Sequence, residues 1–284
     1  MLLVDKIELQ FCVSVPPGHF LRFTTIEALA LQIEDLVWRG APAAGQTEGG
    51  FLASRIYQQQ RHLIADWEGE RVDDGGLIRS IGTHTPRFEL FLCVQYEDEV
   101  KMLAKHLGDD VRVHGMRSGH LIMPYTDVNV DSLSAQYLHE MAAIRPSGHI
   151  VLCGICQGGT IARAMADKLG QQDGSYPFLA LVEQARLSEY CGSVAFFYLE
   201  ESYLNPFRRF ETGLARYDQV YAGRYSLDII PGPHGSFQEP SAHHFAAKMR
   251  ARLDEHFGPK SPTHLLRSRA RVACGLMRVG DMEP

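Results

Sequence analysis

His149-Ile150-Val151-Leu152-Cys153-Gly154-Ile155-Cys156-Gln157-Gly158-Gly159 is the stretch whose reading decides the fold. Its first five residues form an apolar run of strand length, as expected of a strand buried on both faces. After the glycines, Ile161, Ala164, Met165 and Leu169 recur at helical spacing, so 157–169 is expected to be a helix. Glycines at 154 and 158 bracket Cys156 between the two elements. A strand, a tight turn and a helix with a nucleophilic residue between glycines is the setting of a nucleophile elbow. The turn is strained, and side chains at 154 and 158 would collide with the neighbouring strand and helix. Cys156 then stands at a helix N-terminus, where the dipole and unpaired N–H groups favour a thiolate. The Gln157 N–H is the natural oxyanion donor. Two rival readings exist for the same residues. One is a glycine turn around a structural cysteine. The other is a redox pair, since Cys153 and Cys156 are spaced C-x-x-C; Cys153, at the end of an apolar strand, is expected to face the core. No second ligand pair stands at zinc-binding spacing.

Working outward, apolar runs at 89–94, 178–182 and 194–199, the alternating stretch 111–114 and the stretch 225–230 read as further strands. Helical periodicity fills 97–107, 132–144 (with Ser132 as N-cap and Pro146 as stop) and 239–257. Strands alternating with helices imply a three-layer α/β architecture with a mostly parallel sheet, whose reactive groups gather beyond the carboxyl ends of the strands. A base and an acid are expected there. His234, in Pro231-Gly-Pro-His-Gly-Ser236, follows the last strand and is the candidate base; His243 and His244 are expected to be packing or surface residues of the closing helix. The acid should follow a strand between nucleophile and base. Glu183 is favoured and Glu200 is the alternative.

Upstream, Thr24 to Glu27 form a capping box before an amphipathic helix, residues 40–50 form a glycine- and alanine-rich linker, and 51–71 are expected to be helical. The domain reading is therefore 1–38 as a small helical segment, 39–85 as linker and helix, 86–258 as the main domain and 259–284 as a loose tail. The chain has 284 residues, is 45% hydrophobic and carries a net charge of −6. With no dominant basic stripe, a nucleic-acid partner is not expected. With no apolar run of about 18 residues, neither is a membrane span. Absence of a secretory signal at the start and scattered cysteines at 12, 93, 153, 156, 191 and 274 lead to the expectation of free thiols and a cytoplasmic location.

Over residues 86–257 the sequence resembles the thioesterase domains that end non-ribosomal peptide and polyketide assembly lines. The likeness rests on Phe91-Leu-Cys-Val94, Ser134-Ala-Gln-Tyr-Leu138, Pro146-Ser-Gly-His-Ile150 and the elbow, then Ile161-Ala-Arg-Ala-Met-Ala166 and Ile230-Pro-Gly-Pro-His234. It implies the α/β-hydrolase fold, no bound cofactor, and acyl groups presented as thioesters on the phosphopantetheine of an acyl or peptidyl carrier protein. It also implies a triad of Cys156, His234 and Glu183. Four departures stand out. The family nucleophile is usually serine. Its acid is usually aspartate. Its glycine-rich turn after the first strand, source of the second oxyanion N–H, is replaced by Gln95-Tyr96-Glu97, leaving the Gln95 or Tyr96 N–H to serve. Its helical lid is reduced to 184–193, so a short or absent lid and an open pocket are expected. The segment 7–30 is similar to the second half of a peptidyl carrier domain without its phosphopantetheine serine. The elbow is also similar to the lipase-like box of polyhydroxyalkanoate synthases. Three functions follow: thioester hydrolysis or acyl transfer through Cys156, polymerase-like acyl transfer, or a degenerate module that binds a carrier without turnover.

Overall fold

The structure is a computed structural model that describes residues 54–258 apart from 185, 209–213 and 236–238. The carrier-like segment, the glycine-rich linker and the tail lie outside the described residues. Seven strands are present: β1 (Arg79–Gly82), β2 (Phe88–Val94), β3 (Val111–Arg117), β4 (His149–Ile155), β5 (Phe178–Val182), β6 (Val194–Leu199) and β7 (Tyr225–Ile230). Among the described residues the helices are α1 (Arg55–Leu63), α2 (Glu97–Leu107), α3 (Asp127–Ile144), α4 (Gly158–Asp173), α5 (Ala215–Tyr221) and α6 (Ser241–Phe257). They form one sheet of order β1-β3-β2-β4-β5-β6-β7. β1 runs antiparallel to β3, and every other pair is parallel.

Strands buried on both faces require a layer of helices on each side. Alternate residues sort accordingly. Phe91, Cys93 and Leu152 pack on one face with Leu133, Tyr137 and Met141 of α3 and Ile161 and Met165 of α4. Leu90, Leu92, Val151 and Cys153 pack on the other with Val100 and Leu103 of α2 and Phe245 and Met249 of α6. This is the expected three-layer α/β-hydrolase architecture. Residues 184–193 contain no helix among those described, in keeping with a reduced lid.

Several elements differ from the sequence reading. α3 starts five residues earlier than expected, with Thr126 as its N-cap: Oγ1 accepts from the Asn129 N–H. Its end is as expected, at a left-handed Arg145 just before Pro146. α1 is shorter than the span 51–71, beginning after Ser54, whose Oγ accepts from the Tyr57 N–H. The sheet also reaches upstream of 86, because β1 is an edge strand drawn from the region read as linker and helix. Cys93, Cys153 and Cys156 are free thiols, whereas Cys191 is disulfide-bonded, against the expectation of free thiols throughout. Among the described residues no helix is long and apolar enough to cross a membrane.

Candidate active site

The elbow joins β4 to α4. Cys156 has φ +49°, a left-handed conformation that costs a non-glycine residue energy and is retained where the surroundings enforce it. The surroundings here are backbone. The Cys156 N–H donates to Val182 O on β5 (3.0 Å), and its carbonyl accepts from the Gly159 N–H (3.0 Å) and from the side chain of Gln184. A Cβ on Gly154 would lie 2.4 Å from Gly158, and one on Gly158 would lie 2.0 Å from the Cys93 carbonyl oxygen. The turn therefore closes only with glycine at both positions, as expected from the sequence. Cys153, three residues earlier, is fully buried among the residues facing α2 and α6.

Cys156 is partly buried. Burial pushes its thiol up to about 12, and the carboxylates of Glu99 and Glu183 push in the same direction. The thiolate expected from the helix N-terminus is thus outweighed by desolvation and two nearby negative charges. At neutral pH the sulfur carries its proton and needs a base to lose it.

Glu183 follows β5 directly. Its backbone is left-handed too, with φ +57°, and its N–H is anchored on Phe197 O. Its carboxylate is buried. Oε1 accepts from the Leu199 N–H (2.8 Å), and Oε2 accepts from the Ser202 hydroxyl (2.6 Å) and meets His234 Nδ1. Three donors on one buried carboxylate satisfy a charge that would otherwise be costly to enclose. Held through Nδ1 by a carboxylate, the His234 ring leaves its Nε2 for proton transfer. His234 is exposed at the site mouth, and the Tyr203 ring packs on it at 4.8 Å between centroids. Glu200, the alternative acid, is exposed, and its N–H is used to tie β6 to β7 through Ile230 O. The structure thus brings Glu183, and not Glu200, against His234. His243 is exposed and its ring meets that of His106 edge-on (5.4 Å); exposed His244 sits over the Pro240 carbonyl.

Sequence reasoning missed two residues. Ser202 is fully buried and stands between Glu183 and His234, with Oγ 3.2 Å from His234 Nδ1. Gln184 clamps the elbow carbonyl. Neither belongs to a motif, and both act through folds of irregular chain that periodicity does not reveal.

The oxyanion side is less open than expected. Among the described residues none is seen to accept from the Gln157 N–H. The N–H groups of Gln95 and Tyr96 both donate to a single oxygen, Glu99 Oε2, at 2.8 and 3.0 Å. Hydrogen bonds to a charged acceptor are worth about 1.5–3 kcal/mol each, so these donors are well occupied. Burial raises the Glu99 carboxyl above the usual range, with the two N–H groups only partly opposing it. The Gln95 side chain also meets the Gln157 side chain, linking this turn to the elbow.

No family model matches the chain, and no curated protein matches it. Solved structures do. The thioesterase domain of NocB from a nocardicin cluster matches 62% of this chain and 98% of its own, at 15% identity and a TM-score of 0.51. YbtT, a type II thioesterase from the yersiniabactin NRPS/PKS pathway, covers 64% of this chain with all of its own, at 11% identity and a TM-score of 0.47. At such identity the likeness is one of fold. The NocB match places the described sheet and helices in the α/β-hydrolase arrangement of a thioesterase domain.

Proposed function

We propose that this protein is a thioesterase or acyltransferase that carries an acyl or peptidyl group on Cys156. One observation carries this reading. A cysteine held left-handed at a strand–turn–helix elbow shares the carboxyl edge of the sheet with a buried Glu183 carboxylate bonded to His234. Elements far apart in sequence supply these groups, and three independent features, the strained turn, the satisfied carboxylate and the imidazole, converge on acyl-transfer chemistry.

The first step breaks the thioester of a carrier's phosphopantetheine arm. His234 Nε2 takes the Cys156 proton as sulfur attacks the carbonyl carbon, and the Gln157 N–H steadies the developing oxyanion. Collapse expels the pantetheine thiolate, which receives the proton from His234. Exchanging one thioester for another is close to thermoneutral, so the acyl group stays activated. In the second step water, an amine or a hydroxyl attacks, His234 takes its proton, and the Cys156 thiol is restored. The acyl and acceptor classes follow from the likeness to assembly-line thioesterase domains, whose substrates reach them on carrier proteins. The partner in this reading is an acyl or peptidyl carrier protein, and the chain itself needs no cofactor.

Incubation with acyl-pantetheine thioesters of graded chain length, followed by intact-mass measurement, tests it. An adduct of the acyl mass is expected on the wild type and not on Cys156→Ala. A second reading, a module that binds carriers without turnover, is favoured by the Glu99 carboxylate lying on the Gln95 and Tyr96 N–H groups. No adduct at any chain length, with carrier binding retained, would select it.

A further inference from the structure

β6 leads into a turn over 200–207 in which Ser202, Leu204, Asn205 and Pro206 are buried while Tyr203 stands out to solvent. Single tyrosines on a surface are ordinary. This one lays its ring against His234, with centroids 4.8 Å apart and planes at 52°. The turn that carries it is fastened to the loop that carries the imidazole. The Glu200 N–H donates to Ile230 O (2.7 Å), and the Glu201 N–H donates to Gly232 O (3.1 Å). Within the turn the Leu204 N–H donates to Ser202 Oγ (3.0 Å), and the Asn205 amide donates to Glu200 O (2.9 Å). Tyr203 and His234 therefore belong to one braced unit.

The imidazole needs such a hold. It lies on exposed chain between Gly232 and Gly235, both at positive φ, and glycine restrains a backbone least of all residues. Its ring is fixed along one edge, where Nδ1 meets Glu183 Oε2 and lies 3.2 Å from Ser202 Oγ. Contacts along one edge leave the plane of the ring able to tilt. A contact on its side opposes that tilt, and Tyr203 supplies one. We infer that Tyr203 is a positioning residue: with Glu183 and Ser202 it completes a clasp that holds the plane of the His234 ring for proton transfer with Cys156. The hold on the ring stands on these contacts alone; its consequence for turnover rests on the acyl-transfer reading above.

Two variants of the full chain test it. Tyr203→Ala removes the ring, and Tyr203→Phe keeps the ring without its hydroxyl. Carbethoxylation by diethyl pyrocarbonate, read by peptide mass spectrometry, reports how open the His234 ring is. The fully enclosed His114 should stay unmodified and so verifies folding in the same sample. Acyl-adduct formation on Cys156 from acetyl-pantetheine reports the reaction. In Tyr203→Ala, His234 should be modified about fivefold faster and the adduct should form about fivefold more slowly, the size expected of one aromatic contact. The loss should lie in the limiting rate rather than in the half-saturating concentration, because a tilted base costs the chemical step and not binding. Tyr203→Phe should restore most of both rates. A folded Tyr203→Ala protein whose His234 is modified at the wild-type rate overturns the inference, as does a Tyr203→Phe as impaired as Tyr203→Ala. Faster modification with an unchanged adduct rate makes Tyr203 a mere cover and overturns it too. If His114 is modified in Tyr203→Ala, Tyr203→Leu, which keeps bulk without an aromatic face, takes its place. Faster His234 modification restored by Tyr203→Phe, with no adduct in the wild type or any variant, supports the hold on the ring and sinks the acyl-transfer reading instead.

Discussion

Ser202 is the residue on which the acid–base half of the site turns. Its hydroxyl donates to Glu183 Oε2, accepts from the Leu204 N–H (3.0 Å) and lies 3.2 Å from His234 Nδ1. Glu183 gains one of its three donors from it. In Ser202→Ala the Leu204 N–H loses its acceptor and the carboxylate loses a short, charge-assisted bond. The expected cost is about 1–3 kcal/mol of stability, the penalty for stranding a buried donor. Turnover is expected to fall further than stability explains, by roughly tenfold, because a less constrained Glu183 orients the imidazole less well. The two losses are separated by measuring adduct-formation rate at a temperature where urea titration shows the variant fully folded. An unchanged rate in the folded variant would make Ser202 a purely structural part of the β6–α5 connection. The sequence disclosed Cys156, His234 and Glu183 as candidates because each follows a recognisable strand. Ser202 was hidden, since one serine in an irregular segment has no pattern to betray it.

At the scale of the element, the elbow was the most legible feature. An apolar strand, paired glycines and a periodic helix all point one way, and local agreement of that kind is what makes a turn predictable. The contacts that lock the elbow were less legible, and they can be distinguished by substitution. A Cβ on Gly158 would lie 2.0 Å from the Cys93 carbonyl oxygen, which is strand backbone and cannot yield. A Cβ on Gly159 would lie 2.2 Å from Gln184 Nε2, the tip of a side chain that can. Gly158→Ala should therefore cost about 3 kcal/mol or prevent folding, and no side-chain change should rescue it. Gly159→Ala should be relieved by Gln184→Ala, with a coupling of about 1–2 kcal/mol in a double-mutant cycle read by urea denaturation. Additive effects at 159 and 184 would show that the amide does not press on the elbow. The elements missed or misplaced share one cause. α5 buries Tyr217 and Tyr221, whose rings meet Phe196 of β6, and Tyr217 bonds Tyr198 through paired hydroxyls at 2.7 Å. The first turn of α3 is fixed by Thr126 and by Asn129, whose amide donates to Pro124 O. Both depend on tertiary partners rather than on an apolar stripe, so periodicity alone could not locate them.

Over the whole molecule the same distinction explains why the sheet's parallel centre was readable and its far edge was not. β4, β5 and β6 are apolar runs buried on both faces, whereas β1 contains Arg79 and Ser80, polar residues buried because the fold supplies partners. Arg79 donates to the carbonyls of Ile64, Gly76 and Ile78. Ser80 belongs to a buried chain across three strands: its hydroxyl meets His114 Nδ1 at 2.8 Å, and His114 Nε2 meets Glu89 Oε2 at 2.5 Å. This order matches that of a serine triad, but His114 is fully enclosed and stacks on Phe91 at 4.3 Å, so it serves the sheet rather than a substrate. Burial lowers the His114 pKa below 6.5 despite the adjoining carboxylate. For Glu89 burial raises the pKa, but the His114 bond and the Ser147 and Gly148 N–H groups more than offset it, holding the carboxyl below 4.5. Both groups bind protons less readily folded than unfolded. Their contribution is therefore complete above about pH 6.5 and is lost as pH falls, first through His114 and then through Glu89. Glu99 and Glu140, raised by burial, run in the opposite direction, but they are common to every variant compared. His114→Phe keeps the stacking surface and strands the Glu89 carboxylate, at an expected cost of about 3–5 kcal/mol at pH 7.5. Adding Glu89→Leu should recover most of that loss, because two apolar side chains can replace a buried polar pair at little cost. The double variant should also lose less stability than the wild type between pH 7.5 and 4.5. Urea midpoints across that range check both statements, and a double variant as weak as His114→Phe alone, or as acid-sensitive as the wild type, would show that the chain is not what anchors this edge.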